Sequence, residues 1–134
     1  MKIESFQDLT LWKASVVVAK QIYTVTNNNL FIKDYGLRDQ MRRAIVSVSS
    51  NIAEGFEKNN NNEFIRYLKI VKGSIGELKS QLIVSKEIGY IANAEFERLY
   101  EQLNDLAKQS GGFITYLTKF RKRGSVATKT KSLH

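Results

Sequence analysis

The chain has 134 residues, 43% apolar and 25% charged, with no cysteine, no proline and one histidine, His134. That suffices for one domain around one core, and it excludes disulfides, thiolate metal sites, His-rich zinc sites and an internal Ser-His-Asp triad. The net charge of +8 is uneven: Lys119, Arg121, Lys122, Arg123, Lys129 and Lys131 supply six of it with no acid among them, so the body is nearly neutral and the end is basic.

A chain without proline leans towards helices. The first segment is expected from Ser5, with Ser5 and Asp8 placed as a capping box. Phe6, Leu9, Trp12, Val16, Ala19 and Tyr23 form one apolar face, and Leu11, Val18, Ile22 and Val25 form a second row beside it. A helix this apolar wants neighbours on more than one side, so Leu11, Val18 and Ile22 are candidates for contact with another helix or another copy. The second segment starts near Asp34 and Tyr35, with a core stripe of Leu37, Met41, Ala44, Val48, Ile52 and Phe56. The third starts within Asn59–Asn62, where an Asn can cap free backbone N–H groups, and carries Phe64, Leu68, Val71, Ile75, Leu78, Leu82 and Ser85. The fourth starts at Asn93 and carries Phe96, Leu99, Leu103, Leu106, Ser110, Phe113, Leu117 and Phe120.

The last two stripes keep strict three-four spacing, the seam of helices packed at shallow angles. Gly89 suits the left-handed residue that ends a helix. The expected fold is all-α, an antiparallel up-down-up-down four-helix bundle over residues 1–120, followed by a basic tail at 121–134 expected to be disordered. No apolar run approaches the roughly 20 residues of a bilayer span, and MKIESFQDL lacks a signal peptide's apolar stretch. The expected location is cytoplasmic.

The stretch RRAIVSVSSNIAEG stands out within the second segment. On a helical wheel Gln40, Arg43, Ser47, Asn51 and Glu54 gather beside the core stripe as a second, polar stripe. Ser47 is small enough for a close neighbour, and Gly55 either ends the helix or admits a close contact. The stripe reads as a packing seam against a helix or a subunit. A catalytic reading would make Glu54 a general base, but no nucleophile, second acid or metal-ligand set accompanies it, so no enzyme and no cofactor are expected.

These residues resemble a bacterial family signature. Asp8-Leu9 with Trp12, Tyr35-Gly36-Leu37 with Gln40, Arg42-Arg43-Ala44, Ser47, and Asn51-Ile52-Ala53-Glu54-Gly55 carry it, followed by Glu63-Phe64, Tyr67-Leu68, Gly73-Ser74, Glu77-Leu78, Gln81-Leu82 and Gly89-Tyr90. The chain resembles the 23S rRNA intervening-sequence protein family over about residues 5–120. The resemblance implies a small four-helix bundle that forms ring-like homopentamers. It also implies kinship with the accessory variability proteins of diversity-generating retroelements, which bind nucleic acid and a reverse transcriptase through a basic surface. The chain lacks two prolines that are common in the family, one within the segment matching Ser47–Ser50 and one before Tyr35.

The expected function is that of a non-enzymatic oligomer that binds an RNA or DNA backbone; the alternative is a scaffold for a protein partner. The candidate nucleic-acid-binding residues are Arg38, Arg42 and Arg43 on the second helix, Lys58 after it, Arg66, Lys69, Lys72 and Lys79 on the third, and Arg121, Lys122 and Arg123 at the end. No row of aromatics interleaves with them, so backbone attraction rather than base stacking is expected. Gln40, Ser47, Asn51, Glu54 and Gly55 are the candidate packing residues, with Leu11, Val18 and Ile22.

Overall fold

A computed structural model of the protein describes residues 3–122. The helices are α1 (Thr10–Val25), α2 (Tyr35–Glu57), α3 (Asn61–Glu87) and α4 (Asn93–Lys122), with no strand among the described residues. The side chains of Phe120, Arg121 and Lys122, and all of the expected tail from Arg123 on, lie outside the described part.

The Asp8 carboxylate accepts from the N–H groups of Glu4 at 2.9 Å and Ser5 at 3.1 Å. Those bonds, the one from Glu4 first, hold its carboxyl below the usual carboxylate range. What this motif opens, however, is one 3-10 turn, Phe6–Asp8. Leu9 is extended and buried, and α1 begins only after it.

The two apolar rows of α1 exchange roles relative to the sequence expectation. Leu11, Val18 and Ile22, at 3%, 3% and 0% exposure, are buried within the chain's own bundle and need no second copy to cover them. Of the other row only Leu9 is fully buried; Trp12, Val16 and Ala19 are half-buried and Tyr23 is exposed. After the extended, buried Leu9, α1 turns its Leu11–Ile22 side to the core.

Asn28 organises the turn after α1. Its Oδ1 accepts from the N–H groups of Leu30 and Phe31, both at 2.9 Å, and its Nδ2 donates to the Tyr90 carbonyl at 3.1 Å. A 3-10 turn, Phe31–Lys33, follows, and it buries Phe31. Asp34 then caps α2 by accepting from the Leu37 N–H at 3.1 Å. Asn60 caps α3 by accepting from Glu63 at 3.0 Å. Asn59, at φ +53°, is the left-handed residue between α2 and α3. Gly89, at φ +83°, closes α3: the Tyr90 N–H reaches the Ser85 carbonyl at 2.8 Å and the Gly89 N–H the Lys86 carbonyl at 3.0 Å.

Contacts fix the topology. Arg42 meets Tyr23, Ser47 meets Ser74, and Phe64 meets Phe113, so each helix runs antiparallel to the one before it. One core fills the middle, with Met41, Ile45, Ile52, Leu68, Ile75, Leu78, Leu82, Leu99 and Leu103 fully buried. The α1–α4 seam is the loosest in the ring of four helices. An open cavity of about 450 Å³ lies along it, lined by Ala14, Val17, Val18, Leu106 and the charged Arg98, Glu101 and Asp105 among others.

Candidate functional site

Two features carry polar groups in an organised way: the seam between α2 and α3, and the groove between α3 and α4. In the first, Ser47 Oγ and Ser74 Oγ share a hydrogen bond of 3.1 Å across the seam. Asn51 Nδ2 donates back to the Ser47 carbonyl at 2.8 Å and to Ser47 Oγ at 3.0 Å. Gly55 lies inside α2 rather than ending it, and a Cβ there would come within 2.7 Å of Tyr67 Cβ and 3.0 Å of Phe64 Cδ1. Close approach by α3 is therefore what glycine permits at this position. Ser47, Asn51 and Gly55 thus face the neighbouring helix.

Gln40, Arg43 and Glu54 stand at the exposed edge of the same seam. A cleft of about 330 Å³ opens there between Gln40, Arg43, Ala44, Ser47, Ser74 and Glu77. Glu77 accepts from Gln81 Nε2 at 3.2 Å, while the buried Gln81 Oε1 has no partner among the described residues. No group of three His, Cys, Asp or Glu among the described residues could hold a metal.

The basic candidates divide sharply. Arg42 donates to Thr26 Oγ1 at 2.9 Å and to the Tyr23 carbonyl at 3.3 Å, with its guanidinium over the Tyr23 ring. It holds the end of α1, where a cation also suits the helix dipole. Arg38 donates to the Ile32 carbonyl and pairs with Asp39 at 2.9 Å. Both are engaged within the chain among the described residues, Arg42 to the end of α1 and Arg38 to Ile32 and Asp39. Arg66 pairs with Glu63 at 3.0 Å, a bond that lowers the Glu63 carboxyl below its ordinary range, and it also lies over the Tyr67 ring. Lys58 sits above the same ring at 5.8 Å. Arg123 lies outside the described residues.

Lys69, Lys72 and Lys79 differ from these. With Lys86 they lie along one line of α3, Gly76 and Ile83 filling the intervening three-four positions. The line borders α4: Lys72 Nζ is 3.7 Å from where a Gly111 Cβ would stand, Lys79 lies over the Tyr100 ring and Lys86 over the Phe96 ring. From Lys69 to Lys86 it runs about 25 Å at 1.5 Å per residue. Lys69, Lys72 and Lys79 have no ion pair among the described residues; Lys86 pairs only with its neighbour Glu87, at 3.7 Å.

The acids of α4, Glu95, Glu97, Glu101 and Asp105, all fall in its first half, and Lys108 and Lys119 in its second. Since α3 and α4 are antiparallel, that second half lies beside Lys69 and Lys72. The positive charge is therefore least compensated at the end of the groove near the start of α3. Lys108, exposed one turn before Gly111 on α4, was not among the sequence candidates.

Among the described residues the chain is a small antiparallel four-helix bundle with a lysine-lined α3–α4 groove and a polar α2–α3 seam. The chain belongs to the 23S rRNA-intervening sequence protein family, whose sequence profile matches residues 7–112. No curated protein matches the sequence. Its fold is similar to the crystal structure of a protein of unknown function from the S23 ribosomal protein family of Bacteroides thetaiotaomicron. The TM-score is 0.73 at 21% identity, over 78% of this chain and 98% of that chain, and at that identity the likeness carries the fold alone. No helix among the described residues is long and apolar enough to cross a membrane.

Proposed function

We propose that the protein is a non-enzymatic, self-associating bundle that holds RNA or DNA by the phosphate backbone in the α3–α4 groove. The observation that carries the reading is the row Lys69, Lys72 and Lys79, aligned on one helix face without an ion pair among the described residues. Lysines of this kind release counterions from a polyanion and give binding that is sensitive to salt and indifferent to sequence. Tyr100 is half-buried beneath Lys79, so base stacking has no free ring here. Self-association multiplies a weak groove: in a homopentamer, as the family resemblance implies, each nucleic acid would meet it repeatedly, and avidity then raises affinity without new contacts.

The half-exposed row of α1 favours a second reading, a scaffold that binds a protein partner and no nucleic acid. Anisotropy with a labelled RNA duplex at low and moderate salt separates the two, using the full chain, a Lys69→Glu/Lys72→Glu variant and a truncation after Phe120. The full chain binds at low salt, the variant loses at least about tenfold, and the truncation keeps most of the affinity. No binding at any salt leaves the scaffold, and binding lost only on truncation moves the site to the basic end.

A further inference from the structure

The cleft on the α2–α3 seam carries one charge of each sign. Its volume is about 330 Å³, and it is lined by Gln40, Arg43, Ala44 and Ser47 of α2 with Ser74 and Glu77 of α3. Ser47 touches Ser74 across the seam. In antiparallel helices Arg43, one turn before Ser47, therefore stands level with Glu77, one turn after Ser74. The two do not close on each other: no nitrogen of Arg43 lies within 4.0 Å of a Glu77 oxygen. Arg43 also differs from its fellow arginines. Arg38, Arg42, Arg66 and Arg98 are each held by a carboxylate or a carbonyl, whereas the exposed Arg43 has no hydrogen bond or ion pair among the described residues. Glu77 is held in place: the buried Gln81 donates its Nε2 to Glu77 Oε2 at 3.2 Å and leaves the other carboxylate oxygen open.

We propose that this cleft binds a free α-amino acid with an uncharged polar side chain. A zwitterion is what one unpaired cation and one unpaired anion on facing walls select. The Arg43 guanidinium takes the α-carboxylate with two parallel N–H donors, and the open oxygen of Glu77 accepts from the α-ammonium. A ligand with a single charge would cover one wall group without giving it a partner. The floor sets the side chain. Asn51 donates to Ser47 Oγ, and with Ser47 donating in turn to Ser74, the Ser74 hydroxyl hydrogen is left for a ligand. Gln40 adds an amide that has no hydrogen bond among the described residues. These groups suit a side-chain hydroxyl or amide. Ala44 is the one apolar lining residue, so a large aliphatic side chain gains little, and a charged one upsets the one-to-one match of charges. The site does not depend on nucleic-acid binding, because the lysine row borders α4 instead.

Isothermal titration calorimetry of the full chain with serine, asparagine and glutamine is the test, with thermal shift as a second readout. At least one of the three binds and raises the melting temperature. Its N-acetyl and α-carboxamide forms, each lacking one charge, bind at least about tenfold more weakly. Arg43→Gln and Glu77→Gln weaken binding by the same factor; both side chains are exposed, so the variants melt within about 3 °C of wild type. The Lys69→Glu/Lys72→Glu variant binds the amino acid as wild type does. Neither heat nor thermal shift from any of the three at about 10 mM would overturn the proposal. So would binding that survives in both blocked forms or in both cleft variants, since the two charges would then not be what holds the ligand.

Discussion

Between α2 and α3 most polar groups are tied together: Ser47 bonds to Ser74, Asn51 bonds back to Ser47, and Gly55 brings the helices close enough to seat Tyr67, with Gln81 Oε1 the one buried acceptor there left without a partner among the described residues. Between α1 and α4 they are not. Gln102 lines that cavity with its Oε1 buried and without a partner among the described residues, and Gln21, two turns on from Ala14, is in the same state. An unpaired buried acceptor costs about 1–3 kcal/mol, whereas a satisfied pair adds about 1. The bundle therefore keeps its register through the α2–α3 seam. The α1–α4 seam contributes apolar contact and little specificity.

Substitutions can break the first seam or relieve the second. Gly55→Leu has the largest expected effect, a loss of about 3 kcal/mol in urea unfolding, because its Cβ cannot fit without parting the helices. Ser47→Ala removes one cross-seam bond and one partner of Asn51; about 1 kcal/mol is lost with an unchanged denaturant slope.

Tyr90→Phe tests the clamp at the end of the bundle, where Tyr90 Oη donates to Asp34 Oδ2 at 2.9 Å. Stability falls slightly at neutral pH, by the loss of that one bond. The bond to Asp34, with burial, raises the Tyr90 pKa, so its share of stability is present below the unfolded value of about 10 and is lost as pH rises through the folded one. Wild type and the variant should converge in strongly alkaline solution; a gap that persists there would mean the ring's packing, not the bond, matters. Gln102→Leu has the smallest expected effect and the opposite sign: removal of an unpaired acceptor leaves stability equal or up to about 1 kcal/mol higher. A loss above that range would show that the Gln102 oxygen has a partner in solution.

Most of the architecture was legible in sequence, because α3 and α4 keep three-four spacing over their whole length and the start of α3 carries an Asn cap. The start of α1 was not. Ser5 and Asp8 form the expected bond, but a capping motif does not say how many turns follow it, and here one 3-10 turn and the extended Leu9 separate it from α1. The polar stripe of α2 was visible as a stripe, yet its direction depended on which helix lay beside it. Sequence could not separate Arg42 from Lys69 either. Both are basic residues outside a core stripe, and only the turn after α1 brings Thr26 and the Tyr23 carbonyl to Arg42.

The salt dependence of duplex binding tests the lysine row most directly. Lys69, Lys72, Lys79 and Lys86 on phosphates give a slope of log K against log salt of about −3.6 for each groove engaged, and each Lys→Ala substitution at 69, 72 or 79 should lower its magnitude by about 0.9 per groove. A slope unchanged by these three substitutions would contradict binding in the α3–α4 groove.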